Sequence, residues 1–181
     1  LEVSYSVLGI NNVKNTIVLK NEELLSKLSG LNPTKQKPNY TKFAFLKENK
    51  KDKCLTFKTG KCVINEDLIF PEGYIISAEP GCKIDLIKSS SIISYSPFRL
   101  FGKQDSLITI TSSDSTGQGI IVYTCSEYSQ FSFVEFINLS NINREGWDMT
   151  GAINFYEAPV DFNFCKFKNN LGGDDYLNII R

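Results

Sequence analysis

Histidine is absent from the 181 residues, so Ser–His and Cys–His catalysis, His-ligated zinc and an imidazole general base are excluded within this chain. Carboxylate, Lys, Arg and Tyr chemistry remains. The densest candidate is Gly172-Gly173-Asp174-Asp175. Adjacent residues of a strand point to opposite faces, so Asp174 and Asp175 converge as catalytic carboxylates only in a turn. The structural reading of the same residues is a glycine turn capped by the two Asp ahead of a strand at Leu177. A second group surrounds the polar stretch from Ser140 to Thr150, which carries the only tryptophan: Trp147, Arg144, Tyr156 and Glu157. Insertions between strands commonly carry function, and aromatic rings beside charged groups make a platform for a sugar. The structural reading is that Trp147 lids the residues beneath it.

The second group lies within, and the two Asp just after, a stretch from Gly119 to Asn170 that repeats. Ser132-Phe133-Val134-Glu135-Phe136-Ile137-Asn138 aligns with Asn163-Phe164-Cys165-Lys166-Phe167-Lys168-Asn169, and Gly119–Tyr123 with Gly151–Phe155, at an offset of roughly 31 residues. Apolar positions of period two predict strands. Short strands recurring at this interval, with no helical periodicity between them, predict a solenoid of stacked β coils. Asn138 and Asn169 close the two copies. An Asn at a bend accepts a backbone N–H and tolerates left-handed backbone, so both are expected in a structural ladder.

Upstream, residues 1–40 predict a small α/β leader or cap: strands at Val3–Val7 and Thr16–Leu19, a helix from Asn21 to Gly30, then a Pro-containing linker. Residues 41–181 predict a β-solenoid that stops short of completion, since Leu177–Ile180 reads as a new strand at the chain's end. Thr41–Leu46 is expected to be a strand and Glu48–Lys53 a charged turn. The lysines from Lys35 to Lys61 read as a solvated connecting segment, with an anion-binding patch as the alternative. They lack Arg and an aromatic stacking platform, so no nucleic-acid partner is expected. No apolar run reaches the ~18 residues of a membrane span. Five cysteines form no metal spacing, and buried thiols are expected ahead of a disulfide framework.

Leu68-Ile69-Phe70-Pro71-Glu72-Gly73-Tyr74 and Pro80-Gly81-Cys82-Lys83-Ile84-Asp85-Leu86 resemble the opening coils of right-handed parallel β-helix proteins of the pectate-lyase-like group. Gly151-Ala152-Ile153 through Asn169-Asn170 is similar to repeats of bacterial secreted or surface β-helix regions, some of them beside CotH-like domains. The resemblance implies a right-handed parallel β-helix at a secreted or cell-surface location. The missing His, the weak carboxylate pairing and the early stop favour a non-catalytic segment of a larger protein for glycan contact, adhesion or scaffolding, with acidic polysaccharide or cell-surface glycan as partner. The alternative the resemblance implies is part of a carbohydrate-active enzyme, a polysaccharide hydrolase, lyase or epimerase. Gly172–Asp175 resembles the Gly-Asp-Asp segment of polygalacturonases, where one carboxylic acid protonates the leaving oxygen and a second carboxylate activates water. That family's Asn-Thr-Asp phrase has no counterpart among Asn154, Glu157 and Asp161. No cofactor is expected. In lyases of this fold calcium is the metal, and Glu157, Asp161, Asp174 and Asp175 are the oxygens that would meet it. Open strand edges at Leu177–Arg181 make self-association through the last coil a further expectation.

Overall fold

The chain divides into two units, Leu1–Gln36 and Lys37–Arg181. The computed structural model describes residues 36–144 and 147–180, with Trp147 described by its backbone alone, and the backbone of β1 (Glu2–Tyr5) and β2 (Asn15–Val18), which pair antiparallel. The helix expected from Asn21 to Gly30 and most of the expected linker lie outside the described residues.

The second unit is nearly all β. It begins with β3 (Leu46–Asn49), β4 (Cys54–Phe57), β5 (Gly60–Ile64), β6 (Leu68–Phe70), β7 (Ile75–Ala78), β8 (Cys82–Leu86) and β9 (Ile92–Ser94). It continues through β10 (Phe98–Phe101), β11 (Ile108–Thr111), β12 (Ile120–Tyr123), β13 (Ser129–Ser132) and β14 (Val134–Ile137). After the short hairpin β15 (Asn143–Arg144) and β16 (Trp147–Asp148) come β17 (Gly151–Tyr156), β18 (Val160–Asn163), β19 (Lys166–Lys168) and β20 (Asp175–Ile180). From β4 onward the strands outside that hairpin are dealt in rotation to three sheets, ordered β18-β13-β10-β7-β4-β3, β19-β14-β11-β8-β5 and β20-β17-β12-β9-β6. Pairing is parallel throughout except where β3 meets β4. This is an arrangement compatible with a β-helix.

The buried faces of all three sheets share one core. Register sets like residues side by side: Leu68, Ile92, Ile120, Ile153 and Leu177 stand opposite one another along the third sheet. In the other two sheets Phe131 stacks on Phe162 at 5.0 Å and Phe136 on Phe167 at 4.9 Å. Each such ring pair contributes about 0.5–1.5 kcal/mol beyond its burial. Strands of the first two sheets alternate buried and half-exposed residues, as in β11 and β14. In the third sheet β6, β9 and β12 are buried on both faces, so Leu68-Ile69-Phe70 and Ile120-Ile121-Val122 are continuously apolar. Ile142 and Met149, flanking the β15–β16 hairpin, join Ile69, Ile93, Ile121 and Tyr123 in an outer apolar cluster.

Three expectations are corrected. First, Thr41–Leu46 is not a strand: Tyr40–Lys42 is a 3-10 turn. Second, the charged turn does not begin at Glu48, because the strand runs from Leu46 to Asn49. The segment must pass from the edge of β6, where Asn39 exchanges backbone and side-chain hydrogen bonds with Asp67 and Ile69, to the edge of β4. Residues 39–49 thereby cover the first edges of two sheets within the second unit. Third, β12 and β17 pair Ile120 with Ile153 and Tyr123 with Tyr156, an offset of 33, whereas β13 to β18 keeps 31. Tyr123 to Ser129 is two residues longer than Tyr156 to Val160, and the shorter connection absorbs the difference. Aligning Gly119 with Gly151 is therefore one residue out, enough to exchange the two faces of a strand.

Candidate functional site

Asp174 lies in a bend and Asp175 opens β20 opposite Gly151; both are exposed. The two glycines before them answer to packing. A Cβ on Gly172 would collide with Ser140 Oγ, and one on Gly173, at φ +77°, with the Thr150 carbonyl. The Asp175 amide donates to that same carbonyl at 3.3 Å, and Asn170 Nδ2 to the Asp175 carbonyl at 3.1 Å. Neither carboxylate lines any cavity described below.

Of the four residues around the insertion, Arg144 and Trp147 stand opposite each other in the β15–β16 hairpin, while Tyr156 and Glu157 stand at the far end of β17. Arg144 reaches the start of the third sheet's first strands, donating through Nη2 to Asp67 Oδ1 at 2.5 Å, the Ser89 carbonyl at 2.9 Å and Ser91 Oγ at 3.3 Å. Tyr156 closes β17, two strands away from β9 and at the opposite strand end, with its ring 5.7 Å from that of Tyr123. Glu157 is exposed at φ +47° and its amide donates to the Ile180 carbonyl at 2.8 Å. The side chain of Trp147 is outside the described residues. Asn169 Nδ2 donates to Asn138 Oδ1 at 3.0 Å, both residues being left-handed, at φ +55° and +57°.

A more concentrated site stands at the corner between the first and second sheets. Phe133 is the single residue between β13 and β14, and Phe164 the equivalent residue after β18; both have φ +52°. A bulky side chain in this region is an outlier that costs about 1–3 kcal/mol. The corner at the other end of the second sheet uses Asn138 and Asn169, for which left-handed backbone is easy. Strain is thus accepted where the side chain is Phe. The two rings stack at 4.9 Å and 13°, and Phe164 is 75% exposed. With Gln104, Leu107, Cys165 and Lys166 they line an open groove of about 450 Å³.

Beside this groove, Glu135 Oε1 lies 3.1 Å from Lys168 Nζ and 3.4 Å from Lys166 Nζ. Lys168 first, then Lys166, hold the Glu135 carboxyl below its ordinary range against the opposing effect of burial. Among the described residues the groove lining holds no carboxylate. Its chemistry is contact: aromatic faces for the C–H face of a ring, with the Gln104 amide and the Lys166 ammonium for oxygens.

Sequence reading passed over Phe133 because the Phe-x-x-Phe phrase looked uniform. Phe133 and Phe164 stand outside the strands at left-handed corners, whereas Phe136 lies in β14 and Phe167 in β19 with their rings against the core. Among the described residues no group of three or more Cys, Asp or Glu stands close enough to hold a metal. No described helix is long and apolar enough to cross a membrane. Compared with protein-family models, with curated proteins and with solved structures, the chain matches none of them.

Proposed function

We propose that the second unit is a right-handed parallel β-helix of the pectate-lyase-like kind, and that it serves a secreted or cell-surface protein as a non-catalytic scaffold that contacts glycan. Rotation of successive strands among three parallel sheets supports the solenoid. The observation that carries the function is the stacked pair of half-buried Phe133 and exposed Phe164, held at strained corners over a groove with an ammonium and an amide at its rim. An exposed aromatic stack is unfavourable in water unless something covers it. Lys166 favours sugars bearing carboxylate or sulfate. Burial of Cys62, Cys82 and Cys125 shields those thiols in an oxidising setting.

The test is a glycan-array screen of the full chain beside a turnover assay on pectate, alginate and heparinoids. Binding without turnover, lost in the Phe133→Asn/Phe164→Asn double variant, is the expected result. Turnover that disappears in Asp174→Asn would replace this reading with the enzymatic one. Binding unchanged in the double variant would remove the groove from it.

A further inference from the structure

At the other end of the second unit an inward-facing carboxylate stands in an aromatic setting, with no cation paired to it among the described residues. Along β3, Leu46 and Glu48 are half-buried while Lys47 and Asn49 are exposed, so Glu48 shares the face that covers the core. Glu48 Oε1 accepts from Tyr74 Oη at 2.9 Å and Tyr40 Oη at 3.3 Å. The two phenol rings lie 6.0 Å apart, tilted by 49°. Among the described residues no Lys or Arg comes within ion-pairing distance of Glu48, and no hydrogen bond reaches its second oxygen. Against this carboxylate opens a cavity of about 240 Å³ whose walls include Tyr40, Phe43, Leu46 and Leu55.

We propose that this cavity binds a quaternary alkylammonium group, with Glu48 as its counter-charge and Tyr40 and Phe43 as its aromatic wall. A carboxylate facing a half-buried pocket with no cation beside it favours a positive ligand. A bare ammonium or a metal ion needs several oxygens, and the cavity offers one unused carboxylate oxygen. A methylated ammonium needs none: its surface is hydrocarbon, which suits Leu46, Leu55 and Phe43, and its charge is attracted to ring faces. Donating a hydrogen bond to Glu48 makes the phenols more electron-rich, which strengthens that attraction. The Tyr74 hydroxyl is correspondingly held protonated, its pKa raised by the hydrogen bond to Glu48 and then by Tyr40.

The experiment titrates the full chain with tetramethylammonium, followed by NMR, beside ammonium and the neutral isostere tert-butanol. Saturable shifts centred on Tyr40, Phe43 and Leu55, with at least tenfold weaker binding of both controls, are expected. Glu48→Gln, which still accepts from both tyrosines, should weaken tetramethylammonium at least tenfold while leaving unfolding unchanged. Phosphocholine and a trimethyl-lysine peptide are then used as competitors, and displacement by either names the source of the group. Equal response to tert-butanol, an unaffected Glu48→Gln, or failure of both competitors overturns the proposal. Phe133 and Phe164 take no part in it, so glycan results neither support nor damage it.

Discussion

Arg144 and Asp67 stand 77 residues apart in the chain, and their side chains meet at 2.5 Å. The Asp67 oxygen that receives Arg144 also accepts from the amide and hydroxyl of Ser91, at 2.9 and 2.8 Å. One carboxylate therefore joins the starts of β6 and β9 to the β15–β16 hairpin, and Ile142 and Met149 are drawn onto the outer face of the third sheet. Both charged side chains are about a quarter exposed, 23% and 27%, so the pair is screened less than a surface ion pair. Arg144→Ala should cost about 1.5–3 kcal/mol, as for hydrogen bonds to charged groups. Hydrogen exchange should locate the loss at the Met149 amide, which donates to the Ile142 carbonyl at 2.8 Å. Uniform destabilisation with no excess exchange at Met149 would show that the pair does not hold the hairpin.

The two phenylalanines of each repeated phrase should respond oppositely to substitution. Phe136 is fully buried, and Phe136→Ala should lose about 3–5 kcal/mol, the usual range for deleting a core ring. Phe164→Asn should leave stability equal or raise it, because Asn accepts the φ of +52° that strains Phe. Denaturant unfolding of the two variants beside the parent checks both. Loss of more than about 1 kcal/mol in Phe164→Asn would mean that its ring serves packing after all, since surface changes usually stay within ±0.5 kcal/mol.

Much of the second unit was legible because burial on one face writes alternation into a strand. The aligned phrases Ser132–Asn138 and Asn163–Asn169 carry β14 and β19, which pair side by side at an offset of 31. What escaped depends on contacts distant in the chain. Asn39 pairs with the edge of β6, 30 residues on, and no local pattern distinguishes it from any linker Asn. Phe43 and Phe45 alternate like strand residues, yet Phe43 directly follows the 3-10 turn and their rings pack together at 5.5 Å. The acidic pair at Asp174 and Asp175 drew notice by composition, whereas the neighbouring glycines are explained by Ser140 and Thr150, whose position only the fold supplies.

The thiols give a direct measure of this burial. Cys62 and Cys82 are 1% and 0% exposed, with their sulfurs 3.9 Å apart, and Cys125 is buried as well. Cys54 and Cys165 are half-buried. The Cys82 thiol is pushed up by its hydrogen bond to Cys62 and by burial, and burial also pushes up Cys125 and Cys165. An aromatic disulfide reagent at neutral pH should therefore modify Cys54 first, then Cys165. The other three should react only as fast as the protein opens. Denaturant should release all five in one rapid phase. Rapid reaction of Cys62 or Cys82 in the native protein would contradict their placement in the core.

Acid should act on a second long-range clasp, centred on Asp114. Its carboxylate accepts from the Lys88 amide at 2.8 Å, from the amide and hydroxyl of Thr116 at 3.0 and 2.8 Å, and from Ser112 Oγ at 3.0 Å. The Lys88 amide first, then the Thr116 and Ser112 donors, lower its pKa from 3.8 to about 2, outweighing burial. A depressed carboxylate contributes stability that is complete above the unfolded value and lost as pH falls through the folded one. The clasp should thus hold at pH 5, weaken below 3.8 and be lost near pH 2. Lys88 and Ser89 sit at φ +55° and +57°, backbone that the bonds from Asp114 and from Thr116 Oγ1 help to hold. Amide exchange at Lys88, corrected for its intrinsic pH dependence, should accelerate across that window, while Asp114→Asn should be fast and flat throughout. An Lys88 amide equally protected in both proteins at pH 5 would show that Asp114 does not hold this turn.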